Sequence, residues 1–239
     1  EGYEAILANE QVLLDIIRED VYEMKEKYGD KRRTKISAAV EEIAVEDLIA
    51  EEEVIVTISH SGYVKRTPID AYRKQGRGGQ GVIGSETKEG DFIEHLFTAS
   101  THDYLLVFTN RGRCYWLKVY DVPSMSRQSK GRSIANLLNL GDQTVASIIN
   151  VKKLQNEAEA QASGSERFLV MATRNGLVKK TSLSAYSNPR STGVVAIKLD
   201  PNDTVIGVAL TNGSDHIILG TKDGMAIRFE EKQVRPMGR

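Results

Sequence analysis

Cysteine and long apolar runs are scarce in this sequence. The 239 residues include a single cysteine, Cys114, so an internal disulfide is impossible. No run approaches the roughly 18 apolar residues that a membrane-spanning helix needs. The lone thiol favours a reducing compartment. Because the chain begins neither with methionine nor with a signal-peptide pattern, we expect a piece of a longer cytoplasmic protein.

Residue arrangements that support catalysis or metal binding are also missing. The histidines lie in predicted turns and strands without a paired nucleophile or a zinc-binding spacing: His60, His95, His102 and His216. No phosphate-binding loop of the form G-x-x-x-x-G-K-[ST] occurs. We therefore predict that this chain alone is not an enzyme, has no catalytic residue and holds no metal or cofactor.

The net charge of −1 conceals two oppositely charged segments. Residues 1–53 carry a formal charge of −9, whereas residues 54–239 carry +8. A basic body joined to an acidic arm favours a polyanionic partner for the body. The same excess spread over so many residues is also compatible with an ordinary protein surface, so charge alone leaves both alternatives open.

The N-terminal residues have the periodicity of an amphipathic helix. Over residues 2–28, apolar side chains recur every seven residues at Leu7, Leu14, Val21 and Tyr28. This spacing predicts a short coiled-coil-like helix that packs on a neighbouring helix. Gly29-Asp30 ends the helix, and a further helical turn is predicted at Val45–Ile49. We assign residues 1–52 to this helical tail and its linker.

From residue 53 onward, short apolar runs alternate with turns of one repeated form, hydroxyl-x-x-Gly. The first strands are predicted at Val54–Ile58, Tyr104–Phe108, Phe168–Ala172 and His216–Leu219. The turns that follow them end at Gly62, Gly112, Gly176 and Gly224. Second strands are predicted at Tyr63–Thr67, Arg113–Leu117, Leu177–Thr181 and Met225–Phe229. Glycine supplies the positive φ of a tight hairpin turn, so each pair of runs predicts a hairpin.

The hairpins belong to a repeat of about 50 residues. The four turn glycines lie 50, 64 and 48 residues apart, and the long interval contains a polar stretch, Gln155–Glu166, that indicates a loop insertion. Two landmarks keep the register, a glycine at 81, 131 and 193 and an aspartate at 91, 142 and 203. Third strands are predicted after the aspartates at Phe92–Phe97, Val145–Val151 and Thr204–Leu210. This pattern predicts a mainly β, propeller-like array of four-strand blades at about 53–102, 103–154, 167–215 and, in part, 216–239.

A glycine-rich basic box follows the first hairpin. It comprises Gln75, Gly76, Arg77, Gly78, Gly79, Gln80 and Gly81, preceded by Arg73 and Lys74. Exposed backbone amides beside cations suit contact with phosphate. The spelling G-x-G-x-x-G does not indicate a dinucleotide site here, because a charged stretch precedes it and no amphipathic helix follows. A flexible surface loop is the alternative.

Cations recur in register at equivalent places of the other repeats. The second repeat has Arg127, Lys130 and Arg132 around Gly131, the third has Arg190 beside Gly193, and the fourth has Arg235 and Arg239. Just after the hairpin turns lie Lys65, Arg66, Arg113, Lys179, Lys180 and Arg228. On a ring of blades these residues would form a basic band that bends duplex DNA without reading bases. Stacking aromatics do not recur there, since Trp116 alone occupies such a position, which argues against single-strand binding.

Three segments resemble one known family, the A proteins of DNA gyrase. Gln75–Gly81 is similar to the box Gln-Arg-Arg-Gly-Gly-Lys-Gly of that family. Residues Lys25–Thr34 resemble the end of its DNA-cleavage core, and Val234–Arg239 resembles part of a later blade. The resemblance covers essentially the whole chain. It implies a β-pinwheel, a propeller whose blades exchange strands, with six blades in the family and about three and a half here.

The resemblance also implies a function. A non-catalytic domain of this kind wraps double-stranded DNA along its outer edge, so that strand passage by a bacterial, chromosome-associated type II topoisomerase produces negative supercoils. The gyrase B protein and a second gyrase A protein would be its partners. The catalytic residues, ATP and magnesium would belong to parts of the holoenzyme outside this chain.

Two positions of the box depart from the family pattern. Gly76 replaces arginine and Gln80 replaces lysine, which removes two box cations and leaves Arg77. A topoisomerase IV-like domain that steers DNA without strong wrapping is therefore an alternative. A propeller that serves as a protein-interaction scaffold is a second one.

Overall fold

The computed structural model describes residues 9–31, 33–34, 45–72, 77–79, 81, 83–152, 154 and 166–239. The chain divides into two compact units, residues 1–44 and 45–239. Of the predicted insertion Gln155–Glu166, only Glu166 lies within the described residues. The β unit begins at Val45, ahead of the predicted Glu53.

The first unit contains one helix, α1 (Glu10–Tyr28), among its described residues. Its N-terminus is capped by Asn9, whose side-chain oxygen accepts a hydrogen bond from the backbone N–H of Gln11 at 3.1 Å. The backbone N–H of Gly29 closes the other end on the Lys25 carbonyl at 2.8 Å. The predicted helix and its end are confirmed, and the part predicted before Asn9 lies outside the described residues. Among the described helices, none is long and apolar enough to cross a membrane.

The second unit is built from thirteen strands among its described residues. They are β1 (Glu53–Ser59), β2 (Tyr63–Pro68), β3 (Ile93–Ser100), β4 (Tyr104–Thr109), β5 (Arg113–Lys118), β6 (Arg132–Ser133), β7 (Val145–Val151), β8 (Phe168–Thr173), β9 (Val178–Ser182), β10 (Val194–Val195), β11 (Val205–Thr211), β12 (His216–Gly220) and β13 (Ala226–Glu230). Short 3₁₀ helices follow the second strand of each repeat, at Ile69–Ala71, Val119–Asp121, Leu183–Tyr186 and Glu231–Gln233. Two more lie at Val45–Leu48 and Ile134–Asn136. The predicted hairpins and third strands are confirmed to within a few residues.

The repeated hydroxyl of the turns has a structural role that the sequence pattern left unexplained. In each hairpin the hydroxyl oxygen accepts a hydrogen bond from the backbone N–H four residues later, at 3.1 Å in all four repeats. The donors belong to Tyr63, Arg113, Leu177 and Met225. The intervening glycines have φ values of +78°, +76°, +90° and +80°. The motif thus combines a positive φ with a side-chain acceptor that closes the turn.

The landmark aspartates close the same turns from the other side in two repeats. Asp91 accepts the backbone N–H of Ser61 at 2.9 Å, and Asp203 accepts that of Asn175 at 3.0 Å. In the second repeat Asp142 instead pairs with Arg111, and Gln143 accepts the hydroxyl of the turn residue Thr109 at 2.7 Å. Asp91 and Asp203 are therefore turn-locking aspartates, and in the second repeat Gln143 takes this role.

Neighbouring blades exchange strands, as the family resemblance implied. The first sheet has the order β3-β1-β2-β6, and β6 comes from the second repeat. The second sheet has the order β10-β5-β4-β7, and β10 comes from the third. The remaining described sheets are β11-β8-β9 and β12-β13. Each exchanged strand begins just after a landmark glycine, which explains why these glycines recur at the same place in the repeat.

The core lies between the blades and divides into two clusters. Along β4, Leu105 and Val107 pack into the cluster shared with the first blade. The alternating residues Leu106 and Phe108 pack into the cluster shared with the third. Burial on both faces explains why this strand is apolar throughout rather than alternating.

Candidate nucleic-acid interface

In the second and third repeats a connecting loop joins the 3₁₀ helix to the exchanged strand, and these loops and their equivalents in the other repeats carry most of the candidate DNA-binding residues. The loop of the second repeat, Val122–Gly131, lies against β2 of the first blade. The backbone N–H of Arg66 donates to the Pro123 carbonyl at 3.0 Å, and that of Met125 donates to the Arg66 carbonyl at 2.9 Å. In the fourth repeat Met237 makes the equivalent bond to Lys180 at 2.8 Å. Backbone hydrogen bonds thus anchor the loops of the second and fourth repeats to the preceding blade.

Part of the glycine-rich box can be placed on the first connecting loop. Arg77, Gly78, Gly79 and Gly81 are exposed, with φ values of +85° at Gly78 and +74° at Gly81. The box residues Arg73, Lys74, Gln75, Gly76 and Gln80 lie outside the described residues. The exposed guanidinium of Arg77 beside open glycine backbone is compatible with phosphate contact.

Tyr72 joins the first two connecting loops, and the sequence did not point to it. Its hydroxyl donates to the Gly84 carbonyl at 2.9 Å, so the two ends of the box segment are tied together. The Arg127 guanidinium lies 5.8 Å from the centre of the Tyr72 ring, a cation–π distance. The half-buried Arg127 therefore packs on the first loop while belonging to the second.

The other loop cations predicted from the sequence lie on the surface. These are Lys130 and Arg132 beside the exchanged strand β6, Arg190 beside β10, and Arg235 and Arg239 in the fourth repeat. Arg228 on β13 is also exposed. All of them remain candidates for contact with a polyanion. With Arg77 they form the loop-cation set, defined as Arg77, Arg127, Lys130, Arg132, Arg190, Arg228, Arg235 and Arg239.

Two of the predicted DNA-binding lysines are buried, and the structure corrects their assignment. Lys65 is 1% exposed and Lys180 is 4% exposed. The Lys65 ammonium donates to the backbone carbonyls of Ser126, Arg127 and Ser129. The Lys180 ammonium forms an ion pair with Glu231 at 2.9 Å. Because these ammonium groups are enclosed and paired with protein oxygens, neither is placed to meet a phosphate.

Three further strand cations are occupied by protein oxygens. Arg66 Nε donates to the Val122 carbonyl at 2.7 Å, and the Arg113 guanidinium donates to the Thr192 carbonyl at 2.6 Å. Lys179 Nζ donates to the Ala196 carbonyl at 2.9 Å. All three side chains are only partly exposed. They hold backbone in place, and we leave them out of the loop-cation set.

Burial shifts the pKa of two of the strand lysines, Lys65 and Lys179. It lowers the pKa of Lys65, against the opposing charge of Glu86, and it lowers the pKa of Lys179. In a repeat alignment the position of Lys65 and Lys179 is held by the buried Tyr115 in the second blade but by the exposed Ile227 in the fourth, so the alignment alone does not indicate burial. Trp116, the single aromatic at the neighbouring position, donates its indole N–H to the Tyr186 carbonyl at 2.9 Å and packs against the second core cluster.

The described residues contain no cluster of three or more histidine, cysteine, aspartate or glutamate side chains that could hold a metal ion. The single thiol, Cys114, is buried, and burial raises its pKa far above the ordinary value. The candidate interface residues that the structure describes are cations beside exposed glycine backbone.

These features define a class of protein: a strand-exchanging β-propeller whose connecting loops present cations along the edges of the blades. A profile described as "DNA gyrase C-terminal domain, beta-propeller" matches residues 53–100, 103–152, 167–212 and 215–239. The chain belongs to this family.

The relatives support the assignment over nearly the full chain. The DNA gyrase A protein of Staphylococcus epidermidis is 46% identical over 99% of this chain, and that of Clostridium acetobutylicum is 44% identical over 98%. The chain spans only 26% and 27% of the length of these two relatives.

Two solved structures are also similar to this chain. A C-terminal domain of DNA topoisomerase IV has a TM-score of 0.65 and 31% identity, with 80% of this chain and 55% of that chain covered. A DNA gyrase A C-terminal domain has a TM-score of 0.57 and 28% identity, with coverages of 79% and 58%.

Proposed function

We propose that this chain is a non-catalytic module that binds and wraps duplex DNA. The observation that carries the proposal is the placement of the loop-cation set: cations, most of them exposed, recur on or beside the connecting loops of successive blades. Phosphates along a duplex repeat in a similar way, so a row of such loops can neutralise a continuous stretch of backbone. Contacts of this kind bend DNA without selecting its sequence.

The proposed role in the longer protein follows from the family. The module would bias strand passage toward negative supercoiling by presenting a wrapped DNA segment to a gyrase holoenzyme. That holoenzyme would contain the gyrase B protein and a second gyrase A protein. Its catalytic residues and its use of ATP and magnesium would lie outside this chain.

A second candidate is DNA steering of the topoisomerase IV type, without strong wrapping. It is favoured by the loss of two box cations at Gly76 and Gln80. Each lost phosphate contact lowers the salt dependence of DNA binding by about one unit in the log–log slope, so the box of this chain should grip DNA less firmly than the full family pattern.

One experiment separates these candidates. Nicked circular DNA is incubated with increasing amounts of the chain and religated, and the linking number is measured. Positive shifts that grow with protein concentration support wrapping. Salt-sensitive binding without a shift supports the steering function. Absence of salt-sensitive DNA binding contradicts both and leaves the interaction scaffold.

A further inference from the structure

We infer that Lys65 is a positioning residue that holds the DNA-facing loop of the second blade in its binding conformation. The inference rests on the proposed DNA-binding function, although Lys65 itself is not proposed to contact DNA. The residue sits on β2 of the first blade, and the loop that it organises belongs to the second. One blade would therefore shape the binding surface of the next.

The geometry of the Lys65 ammonium is that of a saturated donor. An ammonium has three N–H groups, and here they face three carbonyls of one loop: Ser126 at 3.2 Å, Ser129 at 2.8 Å, and Arg127. The side chain is 1% exposed, so water does not compete for these bonds. A buried cation that satisfies three backbone acceptors stabilises one loop conformation, because a conformation that withdraws these carbonyls leaves the buried ammonium without its hydrogen-bond acceptors.

The same loop carries Arg127 and Lys130, and Arg132 follows it on β6. The loop's backbone carbonyls converge inward on Lys65, while Lys130 and Arg132 are exposed and Arg127 lies over the Tyr72 ring. Other bonds also hold this segment: Pro123 and Met125 bond to the Arg66 backbone at one end, and Arg132 pairs with Val64 on β2 at the other. Within the described residues they also include the Ser129 N–H donating to the Ser126 carbonyl at 3.1 Å and the Thr67 hydroxyl donating to the Met125 carbonyl at 3.1 Å. Loss of the ammonium would therefore loosen the backbone around Ser126–Ser129, close to the side chains of Arg127 and Lys130.

The equivalent positions of the next two blades use different arrangements, and Lys179 in the third donates to the single carbonyl of Ala196. The residue equivalent to Lys65 in the second blade is Tyr115, which cannot donate to three carbonyls, and its ring lies against Gly193 of the third repeat. The third loop contributes only Arg190 to the loop-cation set. The lysine cradle thus occurs at a loop that carries two cations of the set, Arg127 and Lys130.

The main test is the salt dependence of DNA binding by the Lys65→Met chain, which keeps the side-chain length and removes the donors. We expect the log–log slope to fall by more than one unit, although the lost charge meets no phosphate. Lys130→Ala is the reference for one lost contact and should lower the slope by about one unit. Val107→Ala, a core change away from the loop, controls for reduced stability and should leave the slope unchanged below its melting temperature.

A thermodynamic cycle tests whether Lys65 acts through the loop. In a chain with Arg127→Ala, Lys130→Ala and Arg132→Ala, the added Lys65→Met change should have no further effect on DNA affinity, because the cations that it positions are gone. A further loss as large as that in the wild-type background would overturn the inference.

Limited trypsin digestion provides a readout that does not depend on DNA. Trypsin cleaves after Arg127, Lys130 and Arg132, and we expect faster cleavage there in Lys65→Met but not in Val107→Ala. In Lys65→Ala, ethylammonium should restore protection by refilling the carbonyl cradle, whereas tetramethylammonium, which has no N–H donor, should not. An unchanged digestion pattern in Lys65→Met would overturn the inference. Failure of the wild-type chain to bind DNA would instead overturn the proposed function.

Discussion

Lys180 and Glu231 form an ion pair inside the protein that joins the third and fourth repeats. Lys180 Nζ lies 2.9 Å from Glu231 Oε1, and the two side chains are 5% and 0% exposed. Glu231 also accepts the Thr211 hydroxyl at 2.8 Å and the backbone N–H of Gly213 at 2.9 Å. Burial by itself would raise the pKa of Glu231, but the hydrogen bonds from Lys180 and Thr211 outweigh it, and the net effect is a lowered pKa.

Removal of one partner should therefore be costly. We predict that Lys180→Met lowers the free energy of unfolding by about 3–5 kcal/mol, because it leaves the Glu231 carboxylate buried without its countercharge. Lys222→Met, in the exposed hairpin turn of the fourth repeat, is the matched control and should change stability by less than about 0.5 kcal/mol. Urea denaturation followed by circular dichroism measures both, and similar losses in the two variants would contradict a structural role for the pair.

The turn-locking aspartates predict a loss of stability in acid. The Thr173 hydroxyl and then the backbone N–H groups of Asn175 and Thr204 lower the pKa of Asp203, against the opposing effect of burial. The folded-state pKa thus lies below the unfolded value of about 3.9. The carboxylate therefore stabilises the fold above that pH, and this contribution disappears as the pH falls through the folded-state value.

We expect Asp203→Asn to be less stable than the wild type at neutral pH and to lose less on transfer to about pH 3, because its side chain no longer titrates. Urea midpoints at the two pH values measure the difference. Asp142→Asn, which loses only an exposed ion pair with Arg111, should change the neutral-pH stability by less than about 1 kcal/mol. Parallel acid losses in Asp203→Asn and the wild type would rule out this role of the carboxylate.

The landmark glycine of the third repeat should tolerate no side chain. Gly193 has a φ of +67°, and a Cβ there would lie 2.8 Å from the Tyr115 ring and 2.9 Å from the Cys114 carbonyl. We predict that Gly193→Ala lowers the melting temperature more than Gly176→Ala does. Gly176 has a φ of +90° but no atom within 4 Å of the added Cβ, so its substitution costs only the backbone strain of about 1–2 kcal/mol. Equal shifts would mean that close contact with the second blade is not what requires glycine.

The box should contribute more to wrapping than a turn arginine does. We predict that Arg77→Ala reduces the linking-number shift more than Arg111→Ala, because Arg77 is an exposed cation in the box, whereas Arg111 lies in a hairpin turn and pairs with Asp142. Religation of nicked circles at matched protein concentrations measures the shift. Equal reductions would identify the box as an ordinary loop.

Much of the fold could be predicted from the sequence because it depends on residues that are close together in the chain. The hydroxyl-x-x-Gly turns and the apolar runs beside them identified every hairpin of the β unit, since a turn depends on residues a few positions apart. The register of landmark glycines was also visible, but the neighbour that makes glycine necessary at Gly193 was not. Asp142 shows the limit of the pattern, because it keeps the register while Gln143 contacts the turn.

The candidate site was less accessible, because charge in a sequence does not indicate exposure. Lys65 and Lys130 look alike as basic residues near repeat landmarks, yet one is enclosed by carbonyls and the other is on the surface. Tyr72 carried no sequence signal, since its partners Gly84 and Arg127 meet it only in the folded chain.

The sequence by itself determined the hairpins, the repeat length and the family, because these depend on turn residues, strand periodicity and short motifs. The tertiary structure alone decided which cations remain free. Strand exchange brings Ser129 into contact with Lys65, which lies 64 positions away in the chain. A contact between residues so far apart produces no periodic pattern in the sequence. A buried ammonium must find protein acceptors, so the arrival of the neighbouring loop converts Lys65 from a candidate DNA contact into part of the scaffold.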